Sequence, residues 1–273
     1  MAKLRVEEMI MEVTRWCNLD CWHCSRGEAQ NAFMSFETIN NLLSNVDEIS
    51  TLVISGGEPL IAVPQLNAIS DGISRMGIKV NQISIITNGT ILNADVVRAL
   101  ERLDMVCKIL NVKVSDDKFH KMALERNNLT NRRMVNFNLL KNLFGATLYG
   151  TPRKEKILSL INAVGRAKEL TQSDMDEVNA YGEYPTLYTL TNSHIFNGAD
   201  LTVQHELPAY IGDMWIKNIV NIDVNGYLTD SYASYEDADS HNIYECNINN
   251  VSLLEAIRNN YDRVDMIKQK KLK

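Results

Sequence analysis

The chain has 273 residues, 45% of them hydrophobic, and a formal net charge of −6. Its length fits an α/β domain of about 200–250 residues with a smaller appendage. The acidic balance argues against a nucleic-acid partner, because nucleic-acid binding needs a basic face. No apolar run reaches the roughly 18–20 residues that cross a bilayer, and the charged N-terminus does not resemble a signal peptide. We therefore expect a cytoplasmic protein with no membrane partner, in a reducing compartment where cysteines stay free.

Strand-like and helix-like stretches alternate over the first 117 residues. Strands are predicted at Met9–Thr14, Thr51–Ser55, Ile83–Ile86 and Val106–Val114. Helices are predicted after Ser35 with apolar positions to Val46, after Pro64 up to Gly77, and at Ala94–Leu103. This alternation predicts parallel strands joined by right-handed crossovers, in an open sheet or a barrel.

The pattern is weaker beyond residue 117. Asn131–Phe144 is predicted to be helical, and no fifth strand can be placed between Phe119 and Pro152. Lys154–Leu170 fits one helix, or a strand at Ile157–Ile161 followed by a turn at Gly165 and a helix. Beyond residue 180 we predict strands at Thr186–Thr191, Ile219–Asp223 and Tyr227–Tyr232, a turn at Asn225-Gly226, and a last helix at Ser252–Asn260.

Three of the five cysteines, Cys17, Cys21 and Cys24, follow the first strand in a C-x₃-C-x₂-C spacing. Three thiolates this close in sequence can ligate three irons of a cubane [4Fe–4S] cluster. The fourth iron then has an open position for a substrate or cofactor, which favours chemistry over electron storage. The alternative is a non-catalytic iron–sulfur or zinc protein, with His23 or a distant cysteine as fourth ligand.

The cysteine spacing and Gly56-Gly57-Glu58-Pro59 at the end of the second strand together resemble the radical S-adenosylmethionine (radical SAM) superfamily. The resemblance covers roughly residues 9–170. It implies a partial (β/α)₆ TIM-like barrel and an oxygen-sensitive enzyme. It also implies two cofactors, a [4Fe–4S] cluster and S-adenosylmethionine (SAM), whose reductive cleavage gives a 5′-deoxyadenosyl radical that abstracts hydrogen from substrate.

The resemblance also implies cofactor-binding residues at successive strand ends, the face where barrels place their active sites. His23 takes a position that is usually aromatic in the family and packs near the cluster and adenine. The glycines and carboxylate of the GGEP motif suit a methionine ammonium. The later positions are Asn88 of Thr-Asn-Gly, Ser115 and Asp117 after the fourth strand, and Arg166 of Gly-Arg-Ala.

The order of predicted elements in the C-terminal third resembles the start of a SPASM-type extension, but this region is poor in cysteine. Cys107 and Cys246 are too few for a second four-cysteine cluster. We therefore expect a barrel core at residues 1–175 and a small α/β extension at 176–273. That extension would serve as a lid or substrate wall and could hold remaining barrel elements.

The substrate stays open between a peptide or protein and a small molecule or nucleoside. A peptide-binding groove or β-edge would favour the peptide, and a closed polar pocket the small molecule. Either reaction needs a one-electron donor such as flavodoxin or ferredoxin. His120 could face the site or be a satisfied structural histidine.

Overall fold

The computed structural model describes residues 4–44, 46–150, 158–181, 186–191, 214–228, 235 and 247–256. Its strands are β1 (Leu4–Thr14), β2 (Val46–Gly56), β3 (Lys79–Thr87), β4 (Ile109–Ser115), β5 (Thr147–Tyr149), β6 (Leu158–Asn162), β7 (Leu187–Thr191) and β8 (Met214–Ile222). Its helices are α1 (Phe36–Ser44), α2 (Val63–Met76), α3 (Ala94–Asp104), α4 (Lys118–Arg126), α5 (Thr130–Phe144) and α6 (Gln172–Ala180). None of these helices is long and apolar enough to cross a membrane.

Six strands form one sheet in the order β5-β4-β3-β2-β1-β8, and every neighbouring pair is parallel. A second parallel pair joins β6 to β7. Parallel strands end at the same edge of a sheet, so the loops after β1 to β4 meet there. The α/β class and the partial barrel expected from the sequence are confirmed.

The crossovers follow the local signals of the chain. Ser35 caps α1, since its hydroxyl accepts the Thr38 amide at 3.0 Å. Pro64 lies in the first turn of α2, and Gly77 ends that helix at φ 67°, a left-handed conformation that favours glycine. The helices α1, α2 and α3 bury their apolar stripes against the β1–β4 face of the sheet, in a core that includes Leu42 and Leu66.

Several predicted boundaries differ from the structure. Val46 begins β2 instead of lying on the first helix, because Val46–Gly56 is one continuous strand paired along β1. Of the two alternatives for Lys154–Leu170, the structure has the strand, at Leu158–Asn162, followed by a 3₁₀ turn at Gly165–Glu169. The strand that the sequence did not place is β5, only three residues long and exposed throughout.

The C-terminal strand β8 lies beside β1 in the main sheet. The predicted turn follows it: Gly226 has φ 89° and its amide bonds the Asp223 carbonyl at 3.1 Å. Residues 229–232 and 257–260, and with them parts of the last predicted strand and helix, lie outside the described residues, as does Cys246. The barrel sheet therefore includes a strand from the region expected to be an extension.

A buried ion-pair network joins the end of β1 to the end of β8. The guanidinium of Arg15, 1% exposed, donates to Glu12 at 3.2 Å and to Asp223 at 3.1 Å. A third bond reaches Gln30 at 3.0 Å, in the loop that follows β1. Burial raises the pKa of Asp223 to about 6, and nearby Glu12 adds to the increase. Arg15 thus pairs with two buried carboxylates at the point where the cysteine loop begins, and Arg26 Nε lies 3.9 Å from Glu12.

Arg15→Met should therefore lower the free energy of unfolding by about 3–5 kcal/mol, the usual cost of breaking a buried ion pair. Without the guanidinium, the folded-state pKa of Asp223, already raised by burial, rises further above its unfolded value. The folded state then loses stability as pH rises and this carboxyl ionises, so the destabilisation should be larger at pH 8 than at pH 5. Urea unfolding at both pH values measures it, with Arg15→Lys as the charge-preserving control. An equal loss at both pH values would contradict the account.

Candidate functional site

The three cysteines lie in a loop that leaves β1 and returns beside it. The Arg15 amide donates to the Ala32 carbonyl at 2.9 Å, and Thr14 forms an antiparallel bridge with Phe33. The thiols of Cys17, Cys21 and Cys24 are free; that of Cys21 is buried and the other two are partly buried. The structure thus places the whole motif at the carboxyl edge of the sheet.

The environment of Cys17 and Cys21 is unfavourable to free thiolates. Burial raises the pKa of Cys17 to about 11, and the negative charges of Glu58 and Cys24 nearby add to the increase. Burial also raises the pKa of Cys21 well above its usual range, and the charges of Asp117 and of the two other sulfurs add to it. The thiolates of Cys17 and Cys21 therefore need a bound cation to be stable at neutral pH.

This donor set fits a [4Fe–4S] cluster. Three cysteine sulfurs on one short loop match three irons of a cubane, and Asn88 Nδ2 lies 3.9 Å from Cys17 Sγ, within reach of a weak bond to sulfur. Among the described residues, the remaining cysteine, Cys107, lies away from the loop, with its sulfur 3.9 Å from the Asp104 carbonyl. The described part of the chain therefore offers three thiolates, and no fourth, to a cluster held here.

Arg166 fastens the cysteine loop from the 3₁₀ turn after β6. Its amide donates to the Cys24 carbonyl at 2.9 Å, its Nε to the Cys21 carbonyl at 3.0 Å, and its Nη2 to the Leu19 carbonyl at 3.5 Å. Gly165 makes this contact possible, because a Cβ there would lie 2.3 Å from the Ser25 carbonyl. The sequence predicted Arg166 to bind a cofactor; the bonds that the structure gives it are to the loop.

The Gly-Gly pair after β2 meets the same loop through backbone. The Gly57 amide donates to the Thr14 carbonyl at 2.7 Å, and the Glu58 amide to the Trp16 carbonyl at 2.8 Å. A Cβ at either Gly56 or Gly57 would lie 2.2 Å from a carbonyl oxygen of the loop. Glycine is therefore required at both positions for this close approach.

The carboxylate of Glu58 is fully buried and joins the ends of β2 and β3. One oxygen accepts the Leu60 amide at 3.0 Å and the Thr87 hydroxyl at 2.7 Å, and the other accepts the Asn88 amide at 2.7 Å. Burial raises the pKa of this carboxyl, although the three bonds oppose the shift. The sequence pointed to a methionine ammonium as the partner of this motif; in the structure the side chain binds the chain itself. Pro59 begins the short 3₁₀ turn that follows.

Asn88 connects β3 to the cysteine loop. Its Nδ2 donates to Asn18 at 3.0 Å, and its Oδ1 accepts from the amide and hydroxyl of Thr90 at 2.9 and 2.6 Å. The side-chain Nδ2 of Asn18 in turn donates to the Thr90 hydroxyl at 2.8 Å. The second and third predicted positions therefore lie next to the cysteine motif, as their places in the sequence indicated.

Asp117, after β4, contacts two histidines. It caps α4 by accepting the His120 amide at 2.9 Å, while its other oxygen lies 2.7 Å from His120 Nδ1 and 3.5 Å from His23 Nε2. Burial would raise the pKa of this carboxyl, but the two imidazoles together hold it well below its usual range. The ligand atoms of the three side chains lie within 4.8 Å of one another, a spacing that a metal ion could bridge.

The ring of His23 stacks on Phe119 at 4.5 Å between centroids, and its Nδ1 is buried without a hydrogen-bond partner among the described residues. Ser115 is also buried, and its carbonyl accepts from Arg133 of α5 at 2.9 Å. His120, left open by the sequence, therefore belongs to the site through Asp117. The contact between Asp117 and His23 could not be predicted from the sequence, because it depends on where the cysteine loop places His23.

A cavity of about 290 Å³ opens beside the cysteine loop. Its wall is strongly charged, with Arg26, Arg166 and Lys168 facing Glu28 and Glu169. A polar ligand with both an anionic and a cationic group would suit this lining.

Residues 11–153 match the sequence model of the radical SAM superfamily. The chain belongs to this superfamily. A curated relative, an uncharacterized protein of Methanocaldococcus jannaschii, is 30% identical over 107 residues, which are 37% of this chain and 36% of the relative. The chain thus spans about a third of the length of that relative.

Solved radical SAM structures share the fold. SuiB of Streptococcus suis bound to the precursor peptide SuiA superposes with a TM-score of 0.51 at 14% identity, over 93% of this chain and 64% of SuiB. Native anSMEcpe with bound AdoMet and the Cp18Cys peptide gives 0.50 at 11% identity, over 92% of this chain and 83% of that one.

The close backbone contact at Gly57 gives a sharp test of the site in this radical SAM protein. Gly57→Ala should displace the cysteine loop, since its Cβ would overlap the Trp16 carbonyl, and iron bound after anaerobic reconstitution should fall several-fold. Gly77→Ala is the matched control: nothing lies within 4 Å of its Cβ, so it should cost only about 1 kcal/mol of backbone strain. Equal iron content in both variants would contradict the assignment of the cysteine loop beside Gly57 as the iron-binding site.

Proposed function

We propose that the chain is a radical SAM enzyme that binds one [4Fe–4S] cluster through Cys17, Cys21 and Cys24. The observation that carries the proposal is the convergence of this loop with Gly56-Gly57, with Asn88 and with Arg166 at one edge of the sheet. A zinc site is less well supported, because among the described residues the remaining cysteine, Cys107, lies away from the loop, and His23 Nε2 lies 3.5 Å from Asp117. When bound, the reduced cluster supplies the electron that cleaves SAM to methionine and a 5′-deoxyadenosyl radical, which abstracts hydrogen from substrate.

The residues around the cysteine loop would position the cluster and SAM. Arg166 and Asn88 fix the loop that carries the thiolates, and Glu58 keeps the strand ends in register around it. The Gly56-Gly57-Glu58-Pro59 segment would hold the methionine ammonium through its backbone, since the Glu58 carboxylate is fully buried and already accepts three bonds from the chain. His23, Ser115 and Asp117 would line the nucleoside side of the cofactor.

A peptide is the substrate class that we propose. The β-edge that would favour a peptide is present: β5 pairs with β4 on one side and, among the described residues, with no strand on the other. Leu148 and Tyr149 of β5 and Leu160 of β6 are exposed. An extended peptide can add to such an edge through backbone hydrogen bonds. The neighbours SuiB and anSMEcpe, whose structures contain peptides, support the same class.

The rest of the proposal concerns organisation and partners. We propose a core at residues 1–175 and a lid or substrate wall at 176–273 that contributes β8 to the barrel sheet. The reaction needs a one-electron donor such as flavodoxin or ferredoxin, and an open iron would make the protein oxygen-sensitive. A reducing, cytoplasmic compartment suits both requirements.

Cysteine replacement tests the cluster assignment. Alanine at Cys17, Cys21 or Cys24 should abolish 5′-deoxyadenosine formation from SAM and dithionite, and should lower iron from about four per chain. Cys107→Ala removes a thiol away from the loop and should keep both iron and activity. The assays are chromatography of 5′-deoxyadenosine and metal analysis of anaerobically reconstituted protein. Full activity in a loop variant, or zinc in place of iron, would overturn the proposal.

Isotope transfer tests the substrate class. A library of deuterated synthetic peptides should pass deuterium into 5′-deoxyadenosine, detected by mass spectrometry. Deuterated nucleosides serve as the comparison. Deuterium from nucleosides alone would reject the peptide and leave the radical SAM assignment intact.

A further inference from the structure

Two opposite charges lie against the cysteine loop in positions shielded from water. The Asp117 carboxylate contacts His23, and the Asp117 side chain is 18% exposed. His23 and Trp22 are the two residues between Cys21 and Cys24. The Arg166 guanidinium bonds the Cys21 and Leu19 carbonyls, and its side chain is 14% exposed. One charge comes from the end of β4 and the other from the turn after β6.

Both charges contact the segment that carries the thiols. The Asp117 carboxylate lies 3.5 Å from Nε2 of His23, the residue before Cys24. The Arg166 guanidinium donates to the Cys21 carbonyl at 3.0 Å, and the Arg166 amide donates to the Cys24 carbonyl at 2.9 Å. Both charges therefore lie close enough to affect any charged group bound at the sulfurs.

We infer that Asp117 and Arg166 set the reduction potential of the cluster by opposite electrostatic effects. The inference rests on the proposed function. Reduction adds one negative charge to the cluster, which a nearby carboxylate disfavours and a nearby guanidinium favours. Net charge, hydrogen bonds and exposure are the factors by which proteins adjust iron–sulfur potentials. Asp117 thus lowers the potential and Arg166 raises it.

Arg166 has a second, separable role. Its planar guanidinium donates to two loop carbonyls from fixed positions, which a lysine ammonium cannot reproduce. Arg166→Lys therefore keeps the charge and loosens the loop, while Arg166→Gln removes the charge. Comparison of the two variants distinguishes positioning from electrostatics.

The test is a redox titration of the reconstituted protein followed by EPR. Asp117→Asn should raise the midpoint potential, and Arg166→Gln should lower it. Each shift should be about 59 mV, which is a tenfold change in the ratio of reduced to oxidised cluster at fixed potential. Arg166→Lys should stay near the wild-type potential but lose iron faster to a chelator. Asparagine caps a helix as well as aspartate does, so Asp117→Asn leaves α4 intact.

Two exposed charges provide matched controls. Asp20 lies in the cysteine loop with a side chain 61% exposed, and Lys168 lies in the same turn as Arg166 and is exposed. Because water and salt screen exposed charges, Asp20→Asn and Lys168→Gln should leave the potential almost unchanged. Iron content and circular dichroism of each variant identify any that fails to fold.

The outcomes separate this inference from the proposed function. The inference would be overturned by shifts of equal sign in the two charge variants, by no shift, or by equal shifts in the exposed controls. In each of these cases, a four-iron signal from the wild-type protein would still support the proposed function. If the wild-type protein forms no such cluster, the proposed function fails and this inference with it.

Discussion

The buried carboxylate of Glu58 is the interaction on which the arrangement of the site depends. It has no contact with solvent, and the amides and hydroxyl that it accepts come from the turn after β2 and from the end of β3. A buried charge is tolerated only where donors replace its water. The carboxylate therefore fixes the spacing between the ends of β2 and β3. The adjacent Gly57 amide fixes the end of β1, because it donates to the Thr14 carbonyl.

The same logic applies around the cysteine loop, which forms no helix or strand of its own. Polar contacts from distant parts of the chain hold it: Arg15 bonds Gln30 at its return, Asn88 bonds Asn18, and Arg166 bonds the carbonyls of its middle. On its outer side, Asp20 accepts from Asn127 at the end of α4 at 3.0 Å. A short polar loop thus becomes a defined binding surface without an apolar core beneath every residue.

Most of the fold could be predicted because its signals are local. The apolar run at Thr51–Ser55 and the Pro64 and Gly77 boundaries depend on nearby residues only. The order of β1 to β4 then placed Cys17, Gly57 and Asn88 at one edge without knowledge of any contact. β5 was missed because three exposed residues carry no pattern. The partners of Glu58 and of Arg166 were missed because a charged side chain that is buried and bonded to the chain looks the same in sequence as one that faces a ligand.

The contact between Gly165 and the backbone of Ser25 bears on how the molecule opens. Among the described residues, β6 pairs with β7 alone, and no ladder of backbone bonds joins the smaller sheet to the larger one. A ladder would make both sheets unfold together. In the part of the chain that the structure describes, the two sheets can therefore open as separate cooperative units, each with its own opening free energy. The lateral side of the barrel could then admit a large ligand by local opening while the strands beneath the cysteine loop stay paired.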